Sequence, residues 1–107
     1  MIVVTAPTVA GATVTESLGM VRGSSIRTRH VGRDLIAVLR NLAGGEVREY
    51  TKMLAEAREQ AVDRMIEEAQ MLNADAIVAV RFQTSMVMSG AAEMLCYGTA
   101  VRLAQPE

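Results

Sequence analysis

The chain has 107 residues, half of them apolar, and a formal net charge of -1 at pH 7. This length fits one domain over residues 1–107, and the apolar share excludes a globally disordered chain. The nearly balanced charge argues against general nucleic-acid binding, which usually needs a strongly basic domain.

The apolar residues are mostly small, since the chain has no Trp, one Phe and two Tyr. A domain of this size hides only about two-thirds of its unfolded surface, so a core of small side chains favours self-association. No apolar run approaches the roughly 20 residues that span a bilayer, and residues 1–5 lack the pattern of a signal peptide. A single cysteine, Cys96, cannot form an intrachain disulfide, and we expect a cytoplasmic protein without membrane contact.

In the first half of the chain, the pattern predicts two strands and a helix. Residues 2–5 form a β-branched strand that ends before Pro7. Residues 13–23 form a longer strand with Val14, Leu18 and Met20 on one face, followed by a loop. A helix then begins at Arg33 and ends at the glycines at 44 and 45, which tolerate a left-handed C-cap.

In the second half of the chain, the pattern predicts a long helix and two strands. The helix covers residues 47–72, and its apolar stripe includes Ala57, Ala61, Met65 and Ala69. Strands follow at 76–88 and 93–103, joined by a hairpin loop at 89–92. The large apolar residues fall on even positions of the first strand and on odd positions of the second, which predicts the core faces: Val78, Val80, Phe82, Met86 and Met88, and Leu95, Tyr97, Val101 and Leu103.

The element order predicts an α+β fold, an antiparallel sheet (β-β-α-α-β-β) covered on one face by two helices. Two interpretations of the open face remain. Exposed apolar residues there could form an interface, or they could be scattered surface residues that need no explanation. The residues predicted on that face are Ile77, Ala79, Val87, Met94, Cys96 and Ala100.

Cys96, Met94, Met86 and Met88 are soft donors of the kind that suits a cation such as Cu(I). The favoured hairpin register pairs Met88 with Glu93 and Met86 with Leu95, which places Met94 and Cys96 on the face opposite Met86 and Met88. A three-residue loop would unite all four. The alternative is that the methionines fill the core and Cys96 is a small buried hydrophobe. Met94 and Cys96 are too few ligands within one chain, and copies around a ring could supply more.

His30, the only histidine, is a further metal-ligand candidate, with a solvated loop residue as the alternative. Arg27, Arg29 and Arg33 lie near a predicted helix start, where free N–H groups favour an anion. They could equally form a basic face that meets the acidic helix of a neighbour. No nucleotide-binding glycine loop or acid–base pair is evident, so we expect no enzymatic activity.

Taken in order, a set of short motifs resembles the YbjQ-like family over nearly the whole chain. The resemblance implies a heavy-metal-binding label, small dodecin-like subunits and assembly as a homopentamer, but no ligand set to carry over. We therefore expect a ring-forming protein that binds a heavy-metal ion or small anion between subunits; the alternative is a structural or protein-interaction module without a ligand. The motifs are Thr5 to Thr8, Arg33-Asp34-Leu35, Gly44-Gly45-Glu46, Tyr50-Thr51, Ala57-Arg58, Ala61, Ala74-Asp75-Ala76, Glu93 and Tyr97-Gly98-Thr99-Ala100-Val101.

Overall fold

A computed structural model describes residues 1–28, 44–88 and 91–105. The predicted helix that begins at Arg33 lies outside the described residues. The described elements are β1 (Ile2–Val3), β2 (Val14–Thr28), α1 (Gly44–Met71), β3 (Ala76–Met88) and β4 (Ala91–Leu103).

The four strands form one mixed sheet in the order β1-β3-β4-β2. β4 is antiparallel to both β2 and β3, whereas β1 is parallel to β3, so the prediction of an entirely antiparallel sheet is wrong. Both β1 and β2 run in the direction of β3 and lie on opposite edges of the sheet, so the chain crosses from one edge to the other between them and forms no hairpin there. Backbone hydrogen bonds of Val4 with Ile77 and Val80 hold the N-terminal segment against β3.

The long helix is confirmed, and its buried stripe of Ala57, Ala61, Met65 and Ala69 is the predicted one. It ends in a turn at Asn73, whose positive φ of 59° suits a residue that tolerates the left-handed region. Among the described residues α1 is the one helix, so the predicted two-helix layer and the dodecin-like arrangement are not confirmed.

The core lies in two clusters. The larger one joins α1 to the sheet and includes Val21, Ile77, Met94, Cys96 and Ala100. The smaller one contains Ala76, Val78 and Val101, with Val4, Val9 and Leu103 packed against it. Four of the residues predicted on an open face, Ile77, Met94, Cys96 and Ala100, are therefore buried in the cluster that α1 covers.

Close contact between α1 and β2 explains this correction. A Cβ atom at Gly23 would overlap the carbonyl oxygen of Ala61 and the amide nitrogen of Met65, so the helix backbone lies directly on the strand. A buried hydrogen bond of 2.8 Å from the Ser25 hydroxyl to the Ala57 carbonyl holds the two elements together. So close a helix leaves room for small or flexible side chains beneath it, and the bulkier Leu95 and Tyr97 alternate with them on β4.

A β-bulge in β3 explains why Val78 and Val80 lie in different clusters, although both were predicted on one face. The register with β4 shifts between Val78 and Arg81, and Ala79 has a positive φ of 54°. A bulge adds one residue to its strand and changes the face on which later residues lie. Beyond it Phe82, a predicted core residue, is 47% exposed.

β2 also differs from its prediction, because it continues to Thr28 instead of ending at Gly23. Register shifts fall between Val14 and Glu16 and between Ser17 and Gly19. These irregularities break the predicted alternation, so Val21 is fully buried while Met20 is 64% exposed.

Ala79→Gly should raise the free energy of unfolding by roughly 0.5–1 kcal/mol, because glycine adopts a positive φ without the cost that a Cβ atom imposes. Ala79→Val should lower it by about 1–3 kcal/mol, since a β-branched residue is strained in that region. Urea unfolding followed by circular dichroism measures both. Equal losses in the two variants would show that backbone strain at Ala79 does not control stability.

Candidate functional site

The two predicted sulfur ligands lie two residues apart on the same face of β4. Met94 and Cys96 are both buried beneath α1. In the register between β3 and β4, Met94 pairs with Thr84 and Cys96 with Phe82, which places these four side chains on one face of the sheet. The sheet therefore brings a thioether and a thiol together under the helix.

The register differs from the one on which the predicted split of the sulfur ligands rested. Met86 pairs with Ala92 and Met88 with Ala91, so the predicted pairs Met86–Leu95 and Met88–Glu93 are wrong. The side chains of Met86 and Met88 lie outside the described part of the chain. Met94 and Cys96 thus remain the described sulfur pair.

A pocket of about 500 Å³ opens beside Met94, between the N-terminal half of α1 and strand β3. The Thr84 hydroxyl lies 3.2 Å from the Met94 sulfur and donates a hydrogen bond to it. The pocket therefore borders the Met94 side chain, which is 6% exposed. Its lining residues are Thr51, Leu54, Arg58, Phe82, Thr84 and Met94.

Cys96 lies deeper in the core than Met94. Burial raises the pKa of its thiol above the ordinary 9.0, and a hydrogen bond from the Gly23 backbone opposes the rise. The thiol is therefore protonated at neutral pH and behaves as a small apolar residue of the core. A metal ion would have to displace its proton, because the thiolate is the metal ligand.

The donor chemistry of this pair fits a soft metal ion, but the number of donors does not complete a site. Thiolate and thioether ligands select soft ions such as Cu(I). Within residues 1–28, 44–88 and 91–105, no group of three or more His, Cys, Asp or Glu residues could hold a metal ion. A complete coordination shell therefore needs donors in addition to Met94 and Cys96.

The other predicted site residues are placed only in part. His30, Arg29 and Arg33 lie outside the described residues. The backbone of Arg27 belongs to β2, opposite Ala92, and its side chain is likewise outside them. The predicted anion site remains a prediction.

A second pocket, of about 560 Å³, was not predicted. Two arginines and two glutamates line it together with Gly23, Ser24 and Leu95, so its charges balance and favour neither a free anion nor a cation. The Arg64 guanidinium donates to the Ser24 carbonyl. The charged residues are Arg22, Arg64, Glu68 and Glu93.

Sequence reasoning also missed Arg58, the cation in the pocket beside Met94. It lies four residues after Leu54, so the two share one side of α1. This spacing could have suggested that a cation and an apolar side chain border the same cavity. Separately, none of the described helices is long and apolar enough to cross a membrane.

These features define a small α+β domain in which a mixed sheet packs under a long helix and a sulfur pair lies between them. Residues 1–104 match the family model YbjQ_1, described as "Putative heavy-metal-binding", and the chain belongs to this family. The family resemblance expected from the sequence is thereby confirmed.

Related proteins cover nearly the whole chain. A UPF0145 protein of Methanosarcina acetivorans is 56% identical over 103 residues, which cover 96% of this chain and 97% of the relative. A UPF0145 protein of Archaeoglobus fulgidus is 55% identical, with coverages of 96% and 95%.

The fold also resembles a crystal structure from Pediococcus pentosaceus, described as a protein with unknown function of the DUF74 family. The TM-score is 0.68 at 18% identity, and the match covers 97% of this chain and 98% of that one. At this identity the likeness concerns the fold alone.

Proposed function

We propose that this protein is a self-associating binding protein, not an enzyme, that holds a soft heavy-metal ion at Cys96 and Met94. The observation that carries the proposal is the position of these two sulfur side chains on one face of β4, next to a pocket that reaches Met94. The family description agrees with this chemistry. Met94 would offer its thioether at the pocket, and Cys96 would add a thiolate once its proton has left.

Self-association would complete the coordination shell of the metal ion, because a neighbouring subunit can contribute the ligands that one chain lacks. The chain measures 59 × 23 × 16 Å, and its radius of gyration of 17.4 Å exceeds the roughly 13 Å expected for a compact chain of this length. Large apolar side chains such as Met20 and Ile26 are exposed. These features support an oligomer, and the family resemblance suggests a homopentameric ring.

Titration with Cu(I) and Cd(II) tests the metal site. The wild-type protein should bind either ion and show a thiolate-to-metal absorption band with Cd(II). Cys96→Ala should lose this band and bind at least about tenfold more weakly, because it lacks the one thiolate. Met94→Leu keeps a similar volume and should weaken Cu(I) binding without removing the Cd(II) band.

Met71→Leu is the matched control, because Met71 is 83% exposed at the end of α1 and distant in sequence from the sulfur pair. It should bind both ions like the wild type. Circular dichroism should show all variants folded. If the folded Cys96→Ala variant titrates like the wild type, Cys96 is not a ligand and the proposal is wrong.

A purely structural subunit is the second candidate, and the elongated shape with exposed apolar residues favours it. Native mass spectrometry of metal-free protein separates the two roles. An oligomer that takes up no metal from either titration would support the structural role. A metal-bound oligomer would support the binding protein.

A further inference from the structure

The sheet has two long outer edges without a strand partner among the described residues. On one side, β1 and the segment after it pair with β3 only as far as Val80. From Arg81 to Met88 the outer edge of β3 has no described strand beside it. On the other side, β2 is the last strand over its whole length, Val14–Thr28.

One side-chain contact shows which backbone N–H and C=O groups point outward from these edges. The Ser24 carbonyl accepts a hydrogen bond from Arg64, so it points away from β4. Because backbone groups alternate in direction along an antiparallel strand, those of Arg22 and Ile26 also point outward. Across the sheet, the same alternation turns the backbone groups of Phe82 and Thr84 outward on β3.

The two edges match each other in regularity, direction and position. The register shifts of β2 end at Gly19, and its pairing with β4 is regular from there to Thr28. The β3 edge is regular from Arg81 to Met86 and pairs with the same part of β4. Both strands are antiparallel to β4, so they run in the same direction. Their unpaired stretches flank the same part of β4, one on each side of the sheet.

The surroundings of the edges are unusually exposed for strands. Residues 81 to 85 of β3 are exposed at every position, so described residues bury neither face of this segment. They include Phe82, and Ile26 near the β2 edge is 58% exposed. Unpaired strand edges with exposed apolar side chains are templates for another chain.

We infer that the outer edge of β3, residues 81–88, pairs in parallel with the outer edge of β2, residues 19–28, in a second copy of this chain. The inference rests on the self-association proposed above and adds the surface that performs it. The contact is heterologous, so each copy keeps one edge of each kind for the next copy, and repeated addition continues the sheet until a ring closes. The contact also places a neighbour beside the pocket that reaches Met94, whose lining includes Phe82 and Thr84.

Pairs of introduced cysteines test this contact. Gln83→Cys is combined in turn with Arg22→Cys, Ser24→Cys or Ile26→Cys, all on the face away from α1. Within one chain β4 separates Gln83 from Ser24 by about two strand spacings, roughly 9.5 Å, which is too far for a disulfide. A disulfide between these positions therefore has to join two chains.

Mild oxidation and non-reducing electrophoresis measure the result, and native mass spectrometry counts the subunits in the same samples. We expect at least one double variant to convert more than half of its chains into a ladder of linked dimers and larger species. Each single variant, and the wild type with its buried Cys96, should remain unlinked.

Other results would overturn the inference in distinguishable ways. Oligomers that form no ladder in any of the three double variants would place the subunit contact on a different surface and leave the proposed association intact. Linked dimers in the Gln83→Cys single variant would show a symmetrical β3–β3 contact instead. A monomer in native mass spectrometry would contradict the proposed association itself.

Discussion

Gly23→Ala is expected to lower the free energy of unfolding by about 3 kcal/mol or more. Overpacking a core costs typically 1–3 kcal/mol, and here the added methyl group meets backbone atoms that cannot change rotamer. The obstructing atoms are the carbonyl oxygen of Ala61 and the amide nitrogen of Met65. The helix would have to move away from β2, which would also lengthen the hydrogen bond between Ser25 and Ala57.

Gly11→Ala is the matched control, because a Cβ atom at Gly11 meets no heavy atom within 4 Å although φ is 78°. It should cost only about 1–2 kcal/mol, the penalty for a side chain in the left-handed region. Urea unfolding at one fixed protein concentration compares the two variants, since an oligomer's stability depends on concentration. Equal losses would mean that α1 does not lie directly on β2 at Gly23.

The second large effect is a steep pH dependence of metal binding. Apparent affinity for Cd(II) should fall about tenfold for each unit by which the pH drops below the pKa of the Cys96 thiol, because one proton competes with the metal ion. Burial raises this pKa above 9.0, so the competition extends through the neutral range. Between pH 8 and pH 6 the affinity should therefore fall about a hundredfold.

Isothermal titration at several pH values measures this slope. In Cys96→Ala the thiol contribution should disappear, so any residual binding should vary much less with pH. A wild-type affinity that is constant between pH 6 and pH 8 would contradict a thiolate ligand.

The stability of the metal-free protein should change with pH in the opposite direction. The folded state keeps the Cys96 proton to a higher pH than the unfolded state does, so the free energy of unfolding declines as the pH rises past 9.0.

The elements with strong periodicity could be predicted well from the sequence. The bounds of β3, Ala76–Met88, are those predicted, and α1 begins and ends within a few residues of its prediction. The apolar stripe of α1 predicted its buried face because one helix face must meet the sheet. These features depend on local spacing, which a sequence displays directly.

The sheet faces could not be predicted by the same reasoning, because they depend on contacts between distant segments. Assigning the larger residues Leu95 and Tyr97 to the core ignored Gly23, which brings α1 so close that smaller side chains fit beneath it. The bulge at Ala79 moved Val78 and Val80 into different clusters, although no glycine marks it. The parallel pairing of β1 with β3 likewise depends on the whole topology.

The metal-binding role of Met94 and Cys96 stays a prediction, and the surroundings of these two residues could not be predicted from the sequence. Met94 and Cys96 were identified from their donor chemistry, but they lie under α1 and not on an open face. The pocket beside Met94 combines Arg58 of α1 with Phe82 and Thr84 of β3, elements whose relative position the sequence does not display. Their convergence follows from the packing of α1 across the sheet.

The pairing of β2 with β4 has a consequence for the order of folding. Val14 pairs with Leu103, and even the nearest pair, Thr28 with Ala91, joins segments separated by the whole of α1 and β3. Closing so long a loop is slow compared with forming a helix or a hairpin. During synthesis β2 emerges before α1, β3 and β4 but cannot pair until β4 has been made, so α1, β3 and β4 should form a kinetic nucleus on which β2 docks in the final step.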